Sequence, residues 1–142
     1  MSCILRISGA DLDIDALLLS TLISADRSWY KGTLRSTSSD QRHAHSGANF
    51  LVSKTDLDIP AQQIIEATAF LEHNLATVAA LASFPGVQQA ALDFGVALIE
   101  GSVAVFFCLP PMLVQLAAQA NIGIEVSSYL CSEDPQEAAD QS

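Results

Sequence analysis

Positive charge is scarce in this chain and absent from most of it. Of 142 residues only six are lysine or arginine, against 16 aspartates and glutamates, which gives a formal net charge of −10. No lysine or arginine follows Lys54. Nucleic acids and anionic membranes attract basic surfaces, because their phosphates must be neutralised on binding. The composition therefore argues against both as partners.

Closely spaced cysteines are also lacking. Cys3, Cys108 and Cys131 form an odd set without a close pair. This is typical of a reducing compartment, where cysteines act as small buried hydrophobes. A Cys3–Cys131 bridge is compatible with their places near predicted strand ends, but no spacing requires it. The amino terminus has no long apolar run of the signal-peptide kind, so we expect a cytoplasmic protein.

A continuous membrane span is missing too. The residues from Gly101 to Ile124 carry no charge, but Pro110 and Pro111 interrupt this run, and amide side chains follow them. A membrane-spanning helix needs about 20 predominantly apolar residues in succession. The run therefore predicts buried structure in a folded domain rather than a span.

Signatures of catalysis are absent as well. The chain contains no G-x-S-x-G elbow, phosphate loop, dinucleotide fingerprint or H-E-x-x-H motif. Serines near His43 fall in a predicted loop, whereas catalysis needs rigidly placed groups. We therefore predict a protein that is not an enzyme, with no cofactor and no catalytic residue.

What the chain does contain is ample apolar material for one core. Half of its residues are hydrophobic and 15% are charged. Residues 132–142 hold four acids and no large apolar side chain, which predicts a disordered acidic tail. Residues 1–131 are predicted to form a single domain.

Hydrophobic periodicity predicts six strands and three helices. The strands are expected at Cys3–Ser8, Trp29–Arg35, Ala48–Lys54, Ala90–Ile99, Val103–Leu109 and from Ile124 to Leu130. The first helix is capped by Asp13, with a stripe of Ile14, Leu18 and Leu22. The second begins at Asp58 and Pro60 and ends near Ser83, and the third starts at the proline pair. A mobile loop is predicted at Ser36–Ser46.

This order, βαββαβ followed by βαβ, predicts an α+β fold. We expect a mainly antiparallel sheet of about six strands with three helices packed on it. The first six elements match a ferredoxin-like split arrangement. The last unit, from Val103 to Leu130, is predicted to be the strand-helix-strand crossover that forms the core, with a tight turn at Glu100 and Gly101 leading into it.

Three short motifs resemble the bacterial domain-of-unknown-function family 4279 (DUF4279). They are L-R-I-S-G-A-D-L-D at Leu5–Asp13, S-W-Y-K-G at Ser28–Gly32, and G-I-E-V-S-S-Y at Gly123–Tyr129 after a leucine-rich helix. The histidine-bearing loop and the acidic tail depart from the family pattern. The resemblance implies a compact α+β fold and no functional residue. Because some such small domains accompany bacterial toxin systems, it also suggests an immunity role.

The most informative local feature is the distribution of charge. Five of the six basic residues lie between Arg27 and Lys54, where Asp40 is the only acid. This segment carries a charge of +4 and the rest of the chain −14. Such asymmetry can focus a field on an anionic ligand or on an acidic partner surface, or it can pair two copies of the chain. A purely solvated or structural role for these cations remains the alternative.

Two further features of this segment could contribute to binding. Trp29 and Lys31 share one face of the predicted strand, as in a ligand platform, although Trp29 closing the edge of the core is the alternative. His43 and His45 lie in the predicted loop, and with His73 they could bind zinc if the loop folded back. No carboxylate or thiolate pair supports that spacing, so no metal site is predicted.

Three functional hypotheses follow. The first is a cytoplasmic protein-interaction domain, able to pair with itself, whose contact surface includes Arg35 and Arg42. The second is a small-molecule module that binds an anionic ligand between the sheet and the loop at Ser36–Ser46. The third is an immunity protein whose acidic face complements a basic toxin. In the first two, the candidate binding residues are Trp29, Lys31, Arg35, Arg42, His43 and His45.

Overall fold

The computed structural model describes residues 2–101, 103–104 and 106–131. The predicted acidic tail, 132–142, lies outside these residues. The described elements follow one another as β1 (Cys3–Gly9), α1 (Ile14–Leu19), β2 (Arg27–Trp29), β3 (Ser46–Ser53), α2 (Pro60–Ala82), β4 (Gln89–Ile99), α3 (Pro111–Gln119) and β5 (Gly123–Cys131). The predicted α+β class and the three helices are confirmed.

The five strands form one mixed sheet in the order β2-β3-β1-β4-β5. The pairs β2/β3, β3/β1 and β1/β4 are antiparallel, and β4/β5 is parallel. Parallel neighbours need a crossover connection, and the segment containing α3 provides it. The described residues thus hold five strands rather than about six.

The core lies between one face of the sheet and the helices. On β1, Cys3, Leu5 and Ile7 are fully buried, because alternate side chains of a strand point to the same face. Leu5 lies opposite Phe50 of β3 and Leu92 of β4, which are also fully buried. Each such side chain contributes about 1.5–3 kcal/mol on removal from water. This buried layer holds the other face of β1 in register, where the polar residues lie.

The helix termini follow from the predicted caps. Asp13 accepts a hydrogen bond from the Ala16 amide at 3.1 Å and so satisfies one unpaired donor of α1. Pro60 begins α2, where a missing amide proton costs nothing. The predicted stripe of α2 is buried at Ile64, Leu71 and Val78, among others. Helix α2 is kinked at Asn74, where φ is −126°, and the periodicity of its apolar residues does not indicate this kink.

The largest error concerns the predicted strand at Val103–Leu109. Its described residues are not a strand, and Val105 lies outside the described residues. The position beside β4 is taken by β5, which pairs with it from Ala91 to Ile99. Phe107 is half-buried against the core and Phe106 is exposed, so this segment is part of the crossover. Consequently the turn at Glu100 and Gly101 does not lead into a neighbouring strand.

Two smaller predictions are also wrong. Helix α1 ends at Leu19, so Leu22 lies beyond it and is fully exposed rather than part of a buried stripe. Cys108 is exposed, whereas we expected a buried cysteine. Cys3 is buried, and burial raises the pKa of its thiol far above the usual range. No disulfide joins Cys3 to Cys131.

Candidate functional site

Polar and charged side chains gather on the sheet face that is opposite the core. On β1, Arg6 alternates with the buried residues of the strand and therefore points away from the helices. Asn49 lies opposite both Arg6 of β1 and Arg27 of β2 in the pairing register. Trp29 follows Arg27 by two residues, so it shares this face. Three adjacent strands thus present polar groups on one surface.

The connection between β2 and β3 folds back as a short hairpin. The Gly32 amide donates to the His43 carbonyl at 2.8 Å, and the His43 amide donates to the Thr33 carbonyl at 2.8 Å. An isolated antiparallel bridge joins Leu34 to Arg42. The predicted strand at Trp29–Arg35 is therefore wrong, because β2 ends at Trp29. The loop predicted at Ser36–Ser46 is present from residue 36 to residue 45, with the bridge at Arg42 inside it, whereas Ser46 already belongs to β3.

The hairpin and the polar sheet face enclose a cleft of about 560 Å³. This volume is within the range of small-molecule sites, about 300–1,000 Å³. We call it the basic cleft. Its lining residues are Arg6, Ser8, Arg27, Trp29, Arg35, Arg42, His43, Ala44, His45 and Asn49.

Five of the six predicted site residues line the basic cleft, and Lys31 does not. Lys31 follows the end of β2, where its amide donates to the Ser46 hydroxyl at 2.9 Å. The shared face predicted for Trp29 and Lys31 is therefore lost. The other five lining residues were not among the predicted site residues: Arg6, Ser8, Arg27, Ala44 and Asn49. For the three on β1 and β3, the available signal was alternation with buried neighbours, which identifies the face of the sheet but not what covers it.

Trp29 joins the hairpin to the sheet. Its ring stacks on His43 with the centroids 5.3 Å apart and the planes at 21°. It also packs on Gly47, where an added Cβ would lie 2.6 Å from the ring atom Cζ2. The Arg27 guanidinium carbon is 5.8 Å from the ring centroid, within cation–π range. The ring is thus engaged by the protein itself, so Trp29 orders the wall of the cleft instead of offering an open platform.

Three of the four arginines that line the cleft have no acidic partner among the described residues. Among the described residues both ion pairs belong to Arg6, and no carboxylate oxygen comes within 4.0 Å of the guanidinium nitrogens of Arg27, Arg35 or Arg42. These three side chains donate only to neutral groups. Arg42 donates to the Gly32 carbonyl at 2.8 Å, and Arg35 donates to the Gln41 amide oxygen at 3.5 Å. Their charges are therefore available to an anion in the cleft.

His43 responds to this positive field. Burial lowers the pKa of His43, and the charges of Arg35 and Arg27 lower it further. Protonation of the imidazole is therefore disfavoured, since a protonated ring would face two guanidinium groups. An anion placed among the arginines would offset part of the positive charge that disfavours protonation of His43.

Beyond Arg6 the same sheet face is acidic. Arg6 donates to Asp93 at 2.9 Å and to Glu125 at 3.2 Å. Ser127 also donates to Asp93, at 2.7 Å, so this buried carboxylate is well satisfied. A smaller cavity of about 210 Å³ adjoins the network and shares Arg6 and Asn49 with the basic cleft. Arg6 thus divides a basic half of the face from an acidic half.

The histidines do not assemble into a metal centre. His43 and His45 line the basic cleft, whereas His73 lies on α2, with its Nδ1 2.7 Å from the Ala69 carbonyl oxygen. Within the described ranges, no three histidine, cysteine or acidic side chains come together in a way that could hold a metal ion. Nor does any helix in the described part of the chain have the length and apolar character needed to cross a bilayer.

Comparisons with known proteins add no assignment to this geometry. A scan against family models, a search of curated proteins and a search of solved structures each returned no significant match. The resemblance to domain-of-unknown-function family 4279 therefore stays a prediction.

Proposed function

We propose that this protein binds a small anionic molecule in the basic cleft. The observation that carries the proposal is the convergence of Arg27, Arg35 and Arg42 on one concavity, without a carboxylate partner among the described residues. Guanidinium groups match phosphate and carboxylate oxygens with paired hydrogen bonds. An anion would therefore satisfy donors that the described chain leaves to neutral acceptors.

The charge of the rest of the chain supports this proposal. A protein with a net charge of −10 repels anions at long range, so a surface that attracts them must be a local one. Five of the six basic residues belong to the segment that forms the cleft wall. Salt screens such attraction over about 8–10 Å at physiological ionic strength, so the cleft acts on ligands close to its mouth.

Ligand-dependent thermal stability tests the proposal. Inorganic phosphate, pyrophosphate and citrate would each be added at millimolar concentrations, and the midpoint of thermal unfolding measured. A ligand present at 100 times its Kd stabilises the native state by about 2.7 kcal/mol. We expect at least one anion to raise the midpoint, and sodium chloride at equal ionic strength to have no comparable effect.

Two variants assign that shift to the cleft. Arg35→Ala removes a guanidinium whose only side-chain partner is Gln41, so it leaves the fold intact and diminishes the shift. Lys54→Ala is the matched control, because Lys54 is exposed and does not line the cleft. Equal shifts in both variants, or no shift with any anion, would contradict binding in the cleft.

Self-association is a second candidate, supported by the outer edge of β5, with which no other described strand pairs. Strand β5 is an edge strand of nine residues without lysine, arginine or proline. Val126, Tyr129 and Leu130 are exposed along it. Natural proteins usually protect such edges with charges, proline or a covering segment. We therefore propose that two copies pair through β5 about a two-fold axis.

The molar mass in solution separates this candidate from association through the basic segment. If β5 forms the contact, Leu130→Lys converts a dimer to a monomer, because a lysine on an edge strand opposes pairing with another strand. If the basic surface forms it, charge reversal at Arg35 and Arg42 has that effect instead. A monomer in the unaltered protein, across micromolar concentrations, rules out both.

Two finer assignments complete the proposal. We propose a ferredoxin-like arrangement for the first half of the fold, which is supported by the element order up to β4 and by the strand order β2-β3-β1-β4. We also propose a cytoplasmic location. The free state of Cys3, Cys108 and Cys131 is consistent with a reducing compartment.

A further inference from the structure

The floor of the basic cleft restricts the kind of molecule that carries the anion. This inference rests on the proposed function, because it concerns the part of the ligand beyond its charged group. Ser8 and Asn49 lie on adjacent strands and belong to the floor. Ser8 is opposite Gly47 and Asn49 is opposite Arg6, so the two side chains are diagonal neighbours, about 7–8 Å apart. This spacing suits two hydroxyl groups of one small molecule.

Asn49 has an unsatisfied acceptor. Its Oδ1 is buried and has no hydrogen-bond partner among the described residues. A buried acceptor without a donor lowers the free energy of unfolding by about 1–3 kcal/mol. A donor from outside the described residues would remove this cost. Asn49 lines both the basic cleft and the smaller cavity beside it. Oδ1 is closed to solvent in the unliganded protein, and we expect the carboxamide to turn when a ligand hydroxyl in the cleft donates to it.

Polar groups make up most of the lining of the cleft. Ala44 is the sole aliphatic residue among those that line the cleft, and Trp29 is stacked on His43 and packed on Gly47. A hydrophobic tail or an aromatic ring would therefore meet polar groups and leave them without partners, which is costly. The Ser8 hydroxyl, for which no side-chain or backbone partner occurs in the described chain, can both donate and accept.

We infer that the ligand is a phosphate ester of a polyol, such as a sugar phosphate. The arginines hold the phosphate, and Asn49 and Ser8 bind hydroxyl groups of the carbon chain. A cleft of about 560 Å³ has room for a pentose or hexose phosphate together with ordered water. A nucleotide base has no free tryptophan face to stack on, because Trp29 is already stacked on His43 and packed on Gly47.

Calorimetric titration of five probes tests this inference on the full chain. They are inorganic phosphate, ribose 5-phosphate, glucose 6-phosphate, phenyl phosphate and adenosine monophosphate. We expect at least one sugar phosphate to bind tenfold or more tightly than inorganic phosphate, and phenyl phosphate to bind no more tightly than it. If phosphate binds but neither sugar phosphate exceeds it, or if phenyl phosphate or the nucleotide binds best, the polyol inference is overturned and anion binding stands. If no probe binds, the proposed function itself fails.

Variants of the floor and the wall separate the two parts of the ligand. Asn49→Ala is expected to lower sugar phosphate affinity at least fivefold and to leave phosphate affinity unchanged, because the inference assigns Asn49 to the hydroxyl groups and the arginines to the phosphate. Arg35→Ala is expected to lower both. Asn49→Ala also removes the buried oxygen that has no donor among the described residues. We therefore expect the unliganded variant to keep the thermal unfolding midpoint of the unaltered protein, which verifies that it folds. Equal losses for phosphate and sugar phosphate in Asn49→Ala would overturn the assignment of Asn49 to the hydroxyls.

Discussion

Removal of the Arg6 guanidinium should destabilise the protein through the carboxylate that it leaves behind. Asp93 is buried, with 5% of its side chain exposed, and Arg6 donates to it at 2.9 Å. In Arg6→Leu the remaining donor to Asp93 among the described residues is the Ser127 hydroxyl at 2.7 Å. Breaking a buried pair by deleting one partner costs about 3–5 kcal/mol.

The expected loss lies at the low end of that range. The Arg6 side chain is 32% exposed, so water can approach Asp93 in the variant and offset part of the cost. We therefore expect Arg6→Leu to lose about 3 kcal/mol of unfolding free energy in urea. For a domain of this size the same loss lowers the thermal midpoint by about 10 °C.

A double substitution distinguishes an unpaired charge from lost packing. Replacing a buried ion pair by apolar residues is often neutral, so Arg6→Leu combined with Asp93→Leu should recover most of the stability. Lys54→Ala, at an exposed cation without an acidic partner among the described residues, should stay within about 0.5 kcal/mol. The reasoning fails if Arg6→Leu costs less than 1 kcal/mol, or if the double variant is no more stable than the single one.

Two further predictions concern the wall of the cleft. Gly47→Ala places a Cβ 2.6 Å from the Trp29 ring and 2.7 Å from the Ile7 carbonyl oxygen. We expect the free energy of unfolding to fall by about 1–3 kcal/mol and the fluorescence of this single tryptophan to shift to the red. An unchanged spectrum would show that the position of the ring does not depend on Gly47, and Ser28→Ala, at an exposed position, is the control. Because the pKa of His43 is lowered in the folded protein, the unfolded chain binds a proton more readily, so stability is retained above the unfolded value of about 6.5 and declines as pH falls through the folded value. Between pH 7.5 and 5, the unfolding midpoint of the unaltered protein should therefore decrease more than that of His43→Phe, and parallel curves would contradict this role of His43.

Much of the scaffold could be predicted from local patterns. The stripe of α2 and the alternation of β1 follow from burial on one side, which the periodicity of apolar residues records directly. Asp13 and Pro60 mark helix starts through interactions with adjacent residues. The prediction failed at Val103–Leu109, because an apolar run alone does not tell whether the place beside β4 is free. The parallel pairing of β5 with β4 decides that, and it depends on residues far apart in the sequence.

The sequence predicted the positive charge of the candidate site but not which side chains of the sheet take part in it. The cluster of cations between Arg27 and Lys54 indicated the segment that supplies most of the cleft lining, since charge can be counted in a sequence without knowledge of the fold. Lys31 does not line the cleft, because β2 ends at Trp29, where the hairpin begins. Asn49 was missed, because its importance lies in a buried oxygen without a donor, which only the packed structure reveals.

Phosphate titration of the unaltered protein and of a cleft variant tests the central claim most directly. Calorimetry at low ionic strength would compare the unaltered chain with Arg35→Ala combined with Arg42→Ala, and with Lys31→Ala as a cation lost outside the cleft. We predict measurable binding to the unaltered chain and to Lys31→Ala, with at least a tenfold loss in the double variant. Equal binding by all three, or none by the unaltered chain to phosphate or to any other anion tested, would contradict the assignment of the basic cleft as an anion site.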